Sequence, residues 1–205
     1  MKKTLIISMS GLLLSVMVGC TQKAIEKPVT EETKVTATSE QTDATSGATI
    51  KEGSYDMTKV VPVTEIIEVY KKEAPDSDIT SIDLDYSRAG LRYKVEGVDN
   101  ETEYEIKINA ETKQVEKTKQ EKLDREDRDG IKREKEKLDL NNILSIEKVT
   151  ELAETEAKSG KAVEWNLDRT LNVTYWEVKV KDGNKETEIK LDAKSGEVLE
   201  VELDD

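Results

Sequence analysis

Two acidic and two basic residues recur at equivalent places in the chain and are the first candidates for chemistry. Asp85 and Asp168 lie 83 positions apart, as do Lys107 and Lys190. Two carboxylates in different environments can act as a general acid and a general base. No companion nucleophile or base accompanies either aspartate, and the two would lie in separate domains. We therefore expect them to serve in turns or on a sheet surface, and we predict no catalytic residue.

A charged stretch in the middle of the chain contains a weak cation-binding pattern. Asp127, Asp129 and Glu136 fall at positions three, five and twelve of an EF-hand-like loop, whose oxygen ligands suit Ca²⁺. Position one would be Arg125, which repels a cation. We predict no metal site, and instead a solvated, partly helical connector over residues 119–138.

Composition and charge narrow the class of protein. Of the 205 residues, 38% are charged and 35% are hydrophobic, and the formal net charge is −13. An acidic chain without a basic patch repels phosphate backbones, which excludes a nucleic-acid-binding protein. The sequence has no histidine, so His-ligated metal centres and the usual Ser/His and Cys/His dyads are also excluded. No cofactor is expected.

Residues 1–19 have the features of a secretion signal. Lys2 and Lys3 precede an apolar run that ends at Gly19, and its roughly 22 Å of helix is short of the ~30 Å hydrocarbon layer. The sequence Met-Val-Gly stands directly before Cys20, the only cysteine, and resembles the lipobox of bacterial lipoproteins. That resemblance implies cleavage before Cys20 and attachment of a diacylglyceryl lipid, with fatty-acyl groups such as palmitate, to its thiol. Two acyl chains give stable anchoring. The alternative is that Cys20 is an ordinary residue of the signal.

The segment after the cysteine is predicted to be a tether. Residues 20–55 are rich in Thr, Ser, Glu and Lys and contain few large apolar side chains. Such a stretch cannot bury enough surface to offset its ordering entropy. We expect a disordered stalk that spans roughly 33 Å on average and holds the folded part away from the membrane.

The rest of the chain contains an internal repeat. Residues 56–122 align with residues 139–205 without a gap, and fourteen of the 67 positions are identical. Other positions exchange one apolar residue for another, as in the pair Tyr93 and Trp176. An unbroken register of this length predicts the same fold twice. We place domain 1 at residues 56–118 and domain 2 at residues 139–205.

Each repeat changes its apolar spacing from helical to alternating. The first part predicts an amphipathic helix, with Ser145 as the N-cap and Gly160 as the stop in the second repeat. Alternating apolar residues and the turn residues 182–184 then predict antiparallel strands joined by hairpins. The expected fold class is α+β, with one helix packed on an antiparallel sheet of three to four strands in each repeat.

Two tryptophans could form a ligand platform. Trp165 and Trp176 align with Ile82 and Tyr93, which are simply apolar in the first repeat, so packing in the core is favoured. Tyr175 lies on the opposite face of the strand from Trp176 and is the more plausible exposed aromatic.

The end of the second repeat resembles the PepSY domain family. Residues 174–202 combine an aromatic-x-Val strand, a polar hairpin and the closing pattern DAKSGEV at residues 192–198. The first copy, residues 91–117, is degenerate, since Asn109 and Lys113 replace the Asp and the Gly of that pattern. The chain thus resembles a bacterial lipoprotein with tandem PepSY domains.

This resemblance implies a role in regulating or inhibiting peptidases or other envelope proteins, because PepSY modules occur in the propeptides of thermolysin-type metallopeptidases. We expect a non-enzymatic protein-binding module, held by lipid on the outer face of the cell membrane. An exposed sheet edge could accept a partner's extended strand, and we expect the second repeat to be the better binder. The alternative is a structural spacer or envelope-stress component that contacts a membrane protein complex.

Overall fold

The computed structural model describes residues 56–87 and 90–204. The α-helices of this part are α1 (Val63–Glu73), α2 (Ile131–Glu136) and α3 (Ile146–Ala157), and a short 3-10 helix spans Met57–Lys59. The strands are β1 (Asp78–Ser87), β2 (Gly90–Val98), β3 (Thr102–Asn109), β4 (Val115–Lys122), β5 (Lys161–Thr170), β6 (Val173–Asp182), β7 (Lys185–Asp192) and β8 (Val198–Asp204). Among the described residues, no helix is long and apolar enough to cross a bilayer.

The helices α1 and α3 form where the sequence predicts them. In α3, the Ser145 hydroxyl accepts the backbone N–H of Lys148 at 3.3 Å, which confirms the predicted N-cap. The helix ends earlier than predicted, because Lys158 adopts a left-handed conformation two residues before Gly160. The buried residues of the two helices follow the helical spacing. They are Val63, Ile66, Tyr70, Ile146, Val149 and Ala153.

All eight strands belong to one antiparallel sheet in the order β4-β3-β2-β1-β5-β6-β7-β8. Each repeat therefore supplies a four-stranded meander, and the first strands of the two meanders pair with each other. The two repeats therefore share one continuous sheet, which corrects the expectation of a separate sheet in each repeat. An unpaired β1 or β5 would leave a row of free backbone groups at a sheet edge, and their pairing removes both edges.

The junction between the repeats has a local two-fold symmetry. Asp83 of β1 lies opposite Asn166 of β5, and the two residues are equivalent because they are 83 positions apart. An antiparallel pair of equivalent residues marks a two-fold axis between the strands. The Asn166 amide donates a hydrogen bond to the Asp83 carboxylate at this point.

The backbone links between helix and sheet are the same in both repeats. The N–H of Val61 donates to the carbonyl of Ala110, and the N–H of Leu144 donates to the carbonyl of Ala193, each at 2.7 Å. A buried aromatic side chain on the second strand of each repeat, β2 or β6, also donates a hydrogen bond to the loop before the helix. The Tyr93 hydroxyl donates to the Val61 carbonyl at 2.8 Å, and the Trp176 indole N–H donates to the Leu144 carbonyl at 3.2 Å. This correspondence confirms the repeat at the level of single atoms.

The repeats also fill the same volume with different residues. In the first, Tyr70 of α1 packs on Gly97 of β2, and a Cβ on Gly97 would overlap the tyrosine hydroxyl. The equivalent pair in the second repeat is Ala153 of α3 and Val180 of β6, both buried. The larger residue of the pair belongs to the helix in the first repeat and to the sheet in the second. The space between helix and sheet is therefore filled in both repeats. Both repeats contribute to one continuous apolar core.

The connector between the repeats is attached to the sheet. Strand β4 continues to Lys122, so residues 119–122 of the predicted connector are extended. Beyond them, Arg133 of α2 donates to the Asp78 carboxylate at 2.7 Å, and the N–H of Leu138 donates to the Ile79 carbonyl at 2.9 Å. The connector thus crosses back over β1 before the second repeat begins.

Candidate protein-interaction site

The recurring aspartates lie in neighbouring strands but do not form a catalytic pair. Asp85 and Asp168 lie two residues beyond the Asp83–Asn166 pair in opposite directions, about 13 Å apart along the strands. Among the described residues, the Asp85 Oδ1 atom is buried and has no hydrogen-bond partner, and the Arg92 guanidinium approaches it with Nε at 3.7 Å. The Asp168 carboxylate accepts the N–H of Arg169 at 2.6 Å. Two carboxylates at this distance cannot share a proton, so the arrangement offers no acid–base pair.

The recurring lysines belong to surface ion pairs. Lys107 lies 3.4 Å from Glu105, and Lys190 lies 2.7 Å from Glu200 and 3.6 Å from Glu177. Both lysines are on the face of the sheet opposite the helices. They balance local negative charge there.

A groove of about 640 Å³ lies on this open face, between α2 and the central strands. Its lining is charged, and its lysines already have partners. Lys94 lies 2.7 Å from Asp83 and 3.2 Å from Glu96, and Lys132 lies 2.8 Å from Glu103. A groove with self-paired charges and little apolar surface lacks the character of a small-molecule pocket.

The acidic residues of the EF-hand-like pattern are part of the connector. Asp127 and Asp129 lie in the turn before α2, and Glu136 is the last residue of that helix. Within the residues that the structure describes, no group of three or more acidic or cysteine side chains is arranged to hold a metal ion.

The tryptophans are core residues. Trp165 and Trp176 are fully buried, and the Trp165 indole donates to the Thr150 hydroxyl at 2.8 Å. The prediction that they pack in the core is confirmed. Tyr175 is half-buried on the open face, where burial and then the charge of Asp168 raise the pKa of its hydroxyl.

The strongest candidate for a functional surface is the outer edge of β8. Within the described residues, β8 and β4 are the two edge strands of the sheet. Four of the eight exposed large hydrophobic residues in that part of the chain belong to β8. They are Val198, Leu199, Val201 and Leu203, which are 40%, 49%, 42% and 75% exposed. We call these four residues the β8 strip.

The β8 strip lies beside the helix layer. Val201 pairs with Ile189 and Leu203 pairs with Thr187 across the β7–β8 ladder. Directly paired residues share a face, and Ile189 is fully buried in the core beneath the helices. Because α3 packs over β5, β6 and β7, the strip continues the apolar face of the sheet past the part that α3 covers.

The opposite edge of the sheet has a different character. At the positions equivalent to Leu199, Val201 and Leu203, β4 carries Glu116, Thr118 and Gln120. The charges on the open face also differ, because Lys117 and Lys119 replace Glu200 and Glu202. Charged and polar edges resist pairing with other strands, whereas apolar edges invite it. The chain therefore protects one edge and leaves the other suited to a partner.

Lys190 and Glu200 form an ion pair on the open side of β8. The Glu200 carboxylate raises the pKa of Lys190 through its hydrogen bond, and Lys190 lowers the pKa of Glu200. Glu202 is 3.9 Å from the same lysine. Lys190 therefore faces two carboxylates of β8, and the open side of this edge is negative.

Alternating apolar residues predicted antiparallel strands in the second repeat, but they did not predict the exposed strip of β8. The signal was present in the internal alignment, where VLEVELD of residues 198–204 replaces VEKTKQE of residues 115–121. The predicted lipid-attachment residue Cys20 lies outside the described residues.

Comparison with known proteins identifies a family to which this chain is similar. A family model described as "Peptidase propeptide and YPEB domain" matches residues 60–119 and 143–202. A crystal structure of a predicted lipoprotein from Clostridium difficile 630 is 40% identical in sequence, with a TM-score of 0.71. The alignment covers 75% of this chain and 100% of that one. A comparison with curated proteins finds no match.

The two family matches cover more than half of the chain and coincide with the two halves of the eight-stranded sheet. They confirm the resemblance seen in the sequence, including the degenerate first copy. The chain belongs to the PepSY family and carries two PepSY domains in tandem.

Proposed function

We propose that the chain is an extracytoplasmic, non-enzymatic protein-binding module that regulates or inhibits a peptidase or another envelope protein. The observation that carries this proposal is the β8 strip, four exposed apolar residues on one edge strand. Membership of the PepSY family and the similarity to a predicted lipoprotein support an envelope location.

The binding mechanism is the addition of a strand to β8. A partner segment in extended conformation pairs with the outward N–H and C=O groups of residues 198–204. Its apolar side chains cover Leu203 and Val201, which are otherwise partly exposed to water. Burying such surface contributes about 25 cal/mol per Å², so the apolar strip adds affinity to the main-chain hydrogen bonds.

The anchor is the lipid on Cys20, and the tether is residues 20–55. A lipid with two acyl chains keeps the domains at the membrane. The tether lets them reach partners at a distance from the bilayer. The tether raises the local concentration of the module near its partner. Regulation then results from binding of the module to the partner, and not from a chemical step.

Site-specific photo-crosslinking in intact cells tests this proposal. A photoreactive residue replaces Leu203 in β8 or, as the matched control, Gln120 at the equivalent place in β4. We expect an adduct with an envelope protein from position 203 and none from position 120. Equal adducts from both positions, or none from either, would overturn binding through β8.

The identity of the adduct separates the two roles. A peptidase supports regulation, and adding the purified full chain should then lower the activity of that peptidase. A V201T/L203Q variant, which copies the β4 residues into β8, should lower it less. An adduct with a membrane assembly that lacks a peptidase supports the alternative, a structural spacer or envelope-stress component.

A further inference from the structure

We infer that the segment that pairs with β8 alternates apolar and basic residues. This inference rests on the proposed function, since it specifies the partner chemistry of the same edge. It follows from the two faces of β8, which present opposite chemistry to an added strand.

The face of β8 beside the helices requires apolar residues. Val201 and Leu203 are 42% and 75% exposed, and an added strand would place its own side chains directly next to them. A polar residue there would lose hydration without gaining a partner. Alternate positions of the partner are therefore apolar.

The open face of β8 requires basic residues. Glu200 and Glu202 point to this side, because they pair with Lys190 and Glu188 of β7. Lys190 lies 2.7 Å from Glu200 and 3.9 Å from Glu202, and it belongs to β7, on the inner side of this edge, while Glu188 is held by Lys179 at 3.2 Å. A Lys or Arg on an added strand would reach the carboxylates from the outer side, where the described residues place no cation. Opposite charges across a strand pair are favourable.

A second copy of the chain fits this edge poorly. If two β8 strands paired in antiparallel fashion about Val201, Glu200 would face Glu202 of the other copy, and like charges directly opposite each other destabilise a sheet. The β4 edge of a second copy would bring Lys117 and Lys119 to the carboxylates. It would also bring Thr118 and Gln120 to the apolar strip, so it satisfies only one face. A distinct partner satisfies both.

Peptide binding to the full chain tests the inference. Three seven-residue peptides are compared at 0.15 M salt, a concentration on the order of the physiological value. The first alternates Val and Lys, the second alternates Val and Glu, and the third has the composition of the first with the valines in one block. We expect the Val–Lys peptide to bind about tenfold or more tightly than either control, as summed cross-strand pairs allow.

Two variants of the full chain locate the binding and its charge preference. V201T/L203Q should weaken binding of the Val–Lys peptide about tenfold. E200K/E202K, which copies Lys117 and Lys119 of β4, should reverse the preference toward the Val–Glu peptide. Equal binding of the three peptides, or a preference that survives E200K/E202K, would overturn the inference. So would concentration-dependent self-association that K117E/K119E abolishes, since β4 would then be the occupant.

The crosslinking and peptide experiments fail independently. An adduct at position 203 whose contacted segment is not basic would overturn the partner chemistry and leave the proposed function standing. A clear Val–Lys preference without any cellular adduct at position 203 would overturn the proposed function.

Discussion

Asp83 pairs across the junction of the two repeats with Asn166, the residue that occupies its own place in the second repeat. The order of the eight strands is therefore symmetric about this pair, because each four-stranded meander extends outward from it. Symmetry ends at the edges of the sheet, because the helix side of β4 carries charged and polar residues whereas the helix side of β8 carries apolar ones. The duplicated domain thus forms one continuous sheet whose two edges differ in chemical character.

The Asp83–Asn166 pair should contribute measurably to stability. Asn166→Asp replaces a hydrogen bond with two facing carboxylates, and we expect a loss of about 1 kcal/mol in the free energy of unfolding. Urea unfolding measures this loss. Asn184→Asp, the same change in an exposed turn, is the control and should be nearly neutral. If both variants lose the same stability, the junction is not held by this pair.

The two repeats place the larger residue of an equivalent pair on opposite elements, and this predicts that the stability effects of changes at Tyr70 and Gly97 are strongly coupled. Gly97→Val forces a side chain into the Tyr70 hydroxyl and the Asp78 carbonyl, and we expect a loss of about 3 kcal/mol. Adding Tyr70→Ala recreates the Ala153 and Val180 arrangement of the second repeat. The double variant should be at least about 1 kcal/mol more stable than the sum of the single changes predicts. Additive effects in a double-mutant cycle would contradict this packing.

The hairpin between β5 and β6 contains a strained residue. Leu171 has a φ of 47° and is 93% exposed, and Asn172 follows with a φ of 69°. Two successive positive φ values favour Asn and Gly over Leu. Leu171→Asn should raise the free energy of unfolding by about 0.5 kcal/mol. Leu199→Asn, a similar change in an extended strand, should give no gain, and an equal gain would rule out strain as the cause.

Asp139 should account for part of the loss of fold stability at acid pH. The Lys194 ammonium and the Asn141 amides hold the pKa of Asp139 at about 2, below the ordinary 3.8. A carboxyl with a lowered pKa stabilises the fold above its unfolded pKa, and this contribution is lost as the pH falls from 3.8 toward about 2. Asp139→Asn should therefore lose stability less steeply between pH 4 and 2 than the parent chain, as thermal unfolding would measure. Glu126→Gln, at an exposed site in the connector, should keep the parent slope.

Much of the fold could be predicted because each element has a local signal. Helical spacing located α1 and α3, and the Ser145 cap is confirmed. Alternation located the strands, and the buried Trp165 and Trp176 follow from their apolar equivalents. These features depend on residues close together in the sequence, where periodicity identifies the buried face.

The junction of the repeats could not be predicted in the same way. Alternation identifies the face of a strand that is buried, but not the strand that pairs with it. Asp85 and Asp168 were therefore expected in separate domains, and they lie in neighbouring strands of one sheet. The exposure of the β8 strip likewise depends on how far α3 extends across the sheet, which no local pattern encodes.

Amide hydrogen exchange on the full chain, alone and in complex with the envelope protein that crosslinks at position 203, tests strand addition at β8 most directly. Strand addition predicts that the amides of residues 198–204 exchange more slowly in the complex, because half of them gain a hydrogen bond. Residues 115–122 of β4 should exchange at the same rate in both states. Protection of β4 or of the groove beneath α2, with no change in β8, would contradict binding through this edge.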